Sequence, residues 1–131
     1  MKKIMKVGLL ITLIACSGSG LAGQRQQVEV YVDKRGPIRY AEGTLVDARG
    51  SADTLQLIGC FTYSSGSGLC RARDSAGNFG SCYSTNPIII EAMRNLNSDS
   101  YLFMTWGEDN VCTEVFVENN SYSRPGNISG Y

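Results

Sequence analysis

Four cysteines constrain this chain more than any other feature. Cys60, Cys70 and Cys82 fall in a stretch rich in Gly and Ser, Cys112 answers them near the end, and an N-terminal stretch with the marks of an export signal precedes all four. An even number of cysteines in a small exported domain predicts disulfides, here two, with three pairings open. Zinc is the competing use. The spacings of nine, eleven and twenty-nine intervening residues hold no C-x-x-C pair, and the chain has no histidine, so no metal site is expected.

The export reading rests on Lys2, Lys3 and Lys6 ahead of an apolar run, 7–15, that is too short to span a bilayer. Two processing sites fit it. Leu13-Ile14-Ala15-Cys16 resembles a bacterial lipobox, which would make 1–15 the signal, lipidate Cys16 and leave Ser17-Gly18-Ser19-Gly20 as a tether. Gly20-Leu21-Ala22 suits an ordinary signal peptidase, making 1–22 the signal and 23–27 the tether. The first gives a lipoprotein of the outer or cytoplasmic membrane, the second a secreted or periplasmic protein. Cys16 is the only membrane attachment expected.

Charge narrows the partners. Beyond position 23 nine basic residues face twelve acidic ones, a net of −3, and no run of Lys and Arg remains. No nucleic-acid partner is expected.

Along 28–118 the pattern is that of one small domain. Apolar alternation over 28–32 puts Val28, Val30 and Val32 on one face of a first strand, and 38–47 reads as a second, with Gly43 as a bulge or bend. The run 54–63 is apolar on both faces, which predicts a central strand. Segments 64–68 and 74–78 read as hairpin turns leading to strands at 69–73 and 79–84. Thr85 or Asn86 then caps a helix that has Pro87 at its first position and Ile89, Ala92, Met93 and Leu96 on one stripe. A last hairpin, 101–106 with 111–117, precedes a polar tail, 119–131. The fold class predicted is α+β: about seven strands in a small, meander-rich antiparallel sheet, one packed helix and two disulfides. Hairpin geometry with a loop at 64–68 favours Cys70 with Cys82, leaving Cys60 with Cys112; the other two pairings stay open.

Chemistry is sparse. Without histidine there is no Ser-His-Asp or Cys-His arrangement, and Lys34, the one lysine after the signal, sits in a turn. Asp74, Asp99, Glu108 and Asp109 could serve as paired carboxylates, but all lie in predicted turns, where acids act as turn formers. Calcium would need oxygens from Asp74 to Asn78 or Glu108-Asp109-Asn110 to converge, and neither matches an EF-hand. No catalytic residue and no cofactor are expected. Most strand aromatics are read as core or sheet packing, while Tyr122 and Tyr131 in the tail are idle or meant for a partner. The acceptor patterns at Asn119 and Asn127 go unused in a bacterial chain. The expectation is a non-enzymatic binding or structural module of the bacterial envelope or extracellular space, with a protein or glycan partner. A secreted hydrolase inhibitor is the alternative and a carboxylate hydrolase the third reading. The interaction loops expected are Ser64, Ser65 and Ser67, and Glu108, Asp109 and Asn110.

Overall fold

A computed structural model describes residues 27–120. The signal, Cys16 and its lipidation, most of the tether, and the tail from 121 onward lie outside the described residues. In order, the elements are β1 (Tyr31–Asp33), β2 (Arg39–Thr44), α1 (Leu45–Gly50), β3 (Leu57–Thr62), β4 (Gly68–Arg73), β5 (Phe79–Ser84), α2 (Pro87–Arg94), β6 (Tyr101–Trp106) and β7 (Cys112–Glu118). The α+β class and the strand number are as expected. The strands, however, divide into two antiparallel sheets, a four-stranded β1-β2-β6-β7 and a three-stranded β3-β4-β5.

The division begins at Thr44. The run 38–47 does not stay extended: the Thr44 hydroxyl accepts from the Asp47 backbone N–H at 3.4 Å and caps α1, a helix absent from the sequence reading. Asp47, itself buried, also accepts from the Val28 N–H at 3.0 Å and from the Thr44 hydroxyl. One carboxylate thus fixes the helix start and the chain entering β1. Past α1 the polypeptide leaves the first sheet and β3 opens the second; only β6 and β7 return to the first.

The two sheets differ in the bulk they turn inward. β6 points Leu102, Met104 and Trp106 into the core, while Val32 and Val115 join them from β1 and β7. The facing layer is small: Gly68, Cys70 and Ala72 on β4, Gly80 and Cys82 on β5. Large meets small so that the layers interdigitate at native density. Trp106 lies directly on Gly80, and the Ile90 and Met93 side chains of α2 lie on Gly68.

Helix α2 forms as predicted. The Asn86 side-chain Oδ1 caps it by accepting from the Ile88 N–H at 2.9 Å, and Pro87 occupies the first turn. Ile90 and Met93 are fully buried, with Ile89, Ala92 and Leu96 packed at the margin. Its far end is held by Asn119, read from sequence as tail: the Asn119 amide donates to the Asn95 carbonyl at 2.9 Å and accepts from Asn97 at 3.0 Å.

Two expectations are corrected. The strand in 54–63 is not central; β3 is the edge of the three-stranded sheet, with β4 in the middle. Its second apolar face is apolar because Phe61 stands on the surface, not because another layer covers it. The disulfides are Cys60–Cys70 and Cys82–Cys112, not Cys70 with Cys82 and Cys60 with Cys112. Thr62 pairs with Gly68, so the hairpin loop is 63–67 and Cys60 falls directly opposite Cys70. Cys70 also lies opposite Cys82, as the turn at 74–78 implied. With Cys70 bonded to Cys60, Cys82 reaches across the core to Cys112 and ties β5 to β7.

Candidate functional site

Strand alternation gives the three-stranded sheet an outward face as distinctive as its inward one. Opposite the small inward residues stand Leu57, Gly59 and Phe61 on β3, Leu69, Arg71 and Arg73 on β4, and Phe79, Ser81 and Tyr83 on β5. Phe61, Phe79 and Tyr83 are each about 40–50% exposed, which is unusual for rings on a sheet of this size. The Arg71 guanidinium lies over the Phe61 ring at 4.6 Å, and that of Arg73 over Phe79 at 5.5 Å. Such stacking contributes about 0.5–1 kcal/mol at exposed sites.

The strands of this face carry only basic charge, and its acidic neighbours Glu108 and Asp109 lie in the turn at its margin. β3, β4 and β5 contain no acidic residue, and neither Arg71 nor Arg73 forms an ion pair with another described residue. Val111 extends the face beyond β5, since the Tyr83 N–H donates to the Asn110 carbonyl at 2.9 Å. Cationic forks on aromatic rings, ringed by exposed apolar side chains, suit a surface that binds anionic and apolar groups together.

The loops expected to interact sit at its two margins. Tyr63 and the loop 63–67 close the β3–β4 end: the Tyr63 N–H donates to the Ser67 carbonyl at 2.9 Å, and the Ser65 and Ser67 hydroxyls lie 3.2 Å apart. Ser64, Ser65 and Ser67 thus top a hairpin clamped by Cys60–Cys70. Glu108, Asp109 and Asn110 form the β6–β7 turn, where the Asp109 carboxylate accepts from the Val111 N–H at 3.0 Å and Asn110 adopts a positive φ of 58°. Both loops flank the arginine face without containing it. Sequence reasoning missed Arg71 and Arg73, although the strict small-residue parity of Gly68, Cys70 and Ala72 was the available signal.

The carboxylates weighed for catalysis are engaged locally where their bonds are defined. Asp74 accepts from the Ala76 and Asn78 N–H groups at 3.0 and 2.9 Å and from the Asn78 amide at 2.9 Å. These bonds close the β4–β5 turn. Among the described residues no group of three or more Cys, Asp or Glu is placed to hold a metal ion.

The opposite surface of the molecule has the contrary character. The outward face of β1-β2-β6-β7 carries Asp33, Glu42, Glu114 and Glu118 among Tyr31, Tyr40, Tyr101, Phe103 and Phe116. Tyr40 lies between Tyr31 and Phe103, with ring centroids 5.7 and 6.1 Å away. The Tyr101 hydroxyl donates to Glu42, and burial together with that bond pushes its ionisation well above the usual phenol range. Hydrogen bonds from the Arg35 side chain and backbone hold the Asp33 carboxyl at about 2. Because the folded value is depressed, the contribution of Asp33 to stability is present above its ordinary value of 3.8 and disappears as pH falls toward about 2. Carboxyl NMR should place its midpoint near 2, and Arg35→Ala should return it toward 3.8.

No known protein family, curated protein or solved structure matches the chain. The two disulfides suit an oxidising, exported setting, and among the described residues no helix is long and apolar enough to cross a membrane.

Proposed function

We propose that the protein is an exported, non-enzymatic binding or structural module of the bacterial cell envelope or extracellular space, and that it docks through the outward face of β3-β4-β5. The observation that carries this reading is the pair of arginines lying on exposed phenylalanines with no acidic partner among the described residues. Guanidinium groups left uncompensated on a rigid, disulfide-clamped sheet have little structural purpose, whereas Arg and aromatic residues dominate binding hot spots. Export through the 1–22 signal, or anchoring at Cys16, would put that face in contact with envelope material.

Binding of the purified protein to envelope material of its producing cells tests the reading. Arg71→Ala with Phe61→Ser should weaken saturable binding at least tenfold while leaving the thermal midpoint within a few degrees, because both side chains are exposed. Unchanged binding would overturn it.

A second reading, a secreted hydrolase inhibitor, draws support from the loop 63–67. Its internal hydrogen bonds and the adjacent Cys60–Cys70 bridge present the exposed Tyr63 on a rigid hairpin end, the form of a loop that fills a cleft. The two separate by mutation: an inhibitor loses potency on replacement of Tyr63 or Ser65 and keeps it when Arg71 is changed, and a docking sheet does the reverse.

A further inference from the structure

We infer that the partner of the arginine face is a second copy of this chain, whose acidic, aromatic outer face on β1-β2-β6-β7 seats on Arg71, Arg73, Phe61 and Phe79. This rests on the docking face proposed above and adds its occupant.

The argument begins with the geometry of the core. The inward faces of the two sheets pack on one another, Trp106 against Gly80, so the outward faces look away from each other on opposite sides of the molecule. One is basic: Arg71 and Arg73 without an acidic residue on β3, β4 or β5. The other carries more acidic than basic groups on its strands: Asp33, Glu42, Glu114 and Glu118 face outward, and Arg35 is bonded to Asp33 at 2.5 Å. Both carry half-exposed rings, Phe61, Phe79 and Tyr83 against Tyr31 and Phe116.

Sheet faces pack about 10 Å apart with interdigitating side chains, which is the arrangement already present in the core of each copy. Like faces cannot do this well. Two basic faces would set four guanidinium groups together, and two acidic faces would bring eight carboxylates together, the two Asp33 among them paired to Arg35. Only the unlike pairing joins opposite charges, and it leaves one free face at each end. The contact is therefore heterologous and repeats, so copies stack in a row rather than closing into a dimer.

Size sets the strength of one contact. Three strands at about 4.8 Å spacing and six residues at about 3.3 Å rise give a projected footprint on the order of 300 Å² per copy, well below the roughly 800 Å² per partner of a stable interface. Association is accordingly weak and concentration-dependent, with oppositely charged faces making it salt-sensitive.

Sedimentation velocity of the exported protein over a concentration series tests this. The weight-average sedimentation coefficient should rise with concentration and fall back when salt is added. Arg71→Glu with Arg73→Glu in one chain, and Glu114→Arg in another, should each weaken association at least about tenfold. An equimolar mixture should associate again, since an intact acidic face on one chain meets an intact basic face on the other. Unchanged near-ultraviolet circular dichroism verifies that each variant is folded. A wild type that sediments as a monomer throughout, variants that associate as well as wild type, or a mixture that stays monomeric would each overturn the inference. The double-arginine variant is also assayed on envelope material. If it loses that binding while the wild type stays monomeric, the docking face stands and the second copy is excluded; if neither self-association nor envelope binding is affected, the docking face itself fails.

Discussion

Replacing Cys82 and Cys112 together by alanine should lower the unfolding free energy by about 3–4 kcal/mol, and replacing Cys60 and Cys70 by about 2–3 kcal/mol, on the chain-entropy account of a cross-link. The difference follows from loop length, a sequence separation of 30 against 10. It also follows from place in the fold. Cys82–Cys112 joins β5 to β7 and so links the two sheets, whereas Cys60–Cys70 staples one hairpin already paired through six residues of ladder. A domain of this size has only about 5–15 kcal/mol in total, so the first change removes a large share of it. Urea denaturation of the two double variants beside the wild type measures both. A larger loss for Cys60/Cys70 would contradict the assignment of Cys82–Cys112 as the link between layers.

The second large effect is expected at Gly80. A Cβ there would lie 2.5 and 2.6 Å from two Trp106 ring atoms, distances that packed carbon atoms do not reach, with Val32 in contact at 3.4 Å. The indole cannot swing aside, because Trp106 is 1% exposed and sits between the sheets. Gly80→Ala should cost about 1–3 kcal/mol through overpacking, Gly80→Val more, and Trp106→Ala about 3–5 kcal/mol through the cavity it leaves. The two sites share one space. Gly80→Ala combined with Trp106→Leu should therefore cost less than the sum of the single changes, a coupling that thermal denaturation of the four proteins resolves. Additive losses would mean that Gly80 and Trp106 do not touch.

Sequence and structure part company where long-range pairing decides. β6 was legible because Tyr101 to Trp106 is a short, almost unbroken run of apolar and aromatic residues ending at Gly107, and α2 because Pro87, the Glu91-Arg94 spacing and the Asn97-Ser98-Asp99 stop outweigh the strand preference of three consecutive isoleucines. α1 was not, since Leu45 to Gly50 has too few residues for a helical period to emerge; the Thr44-x-x-Asp47 capping spacing was the one local sign. The division into two sheets depends on Arg39 pairing with Trp106, a contact no local pattern encodes. The disulfide pairing turned on a single position: a loop at 64–68 sets Cys60 opposite residue 72, while the observed 63–67 sets it opposite Cys70. Of the candidate site, both loops were visible as turns. The face between them was not, because which side of a strand another layer covers is not a local property, so rings that pack in the core and rings such as Phe61 and Phe79 that stand on a sheet surface look alike in the sequence.

The central claim is a two-sheet module in which Cys82–Cys112 joins the layers and Cys60–Cys70 clamps the hairpin bearing the docking face. Mass spectrometry of tryptic peptides from the unreduced protein tests it most directly. Cleavage after Arg49, Arg71, Arg73 and Arg94 leaves Cys60 and Cys70 together in 50–71, Cys82 in 74–94 and Cys112 in 95–131. The structure predicts 50–71 as a free peptide with an internal disulfide, and 74–94 joined to 95–131. A single species in which 50–71 is bonded to both of the others would contradict the pairing and, with it, the arrangement of the two sheets.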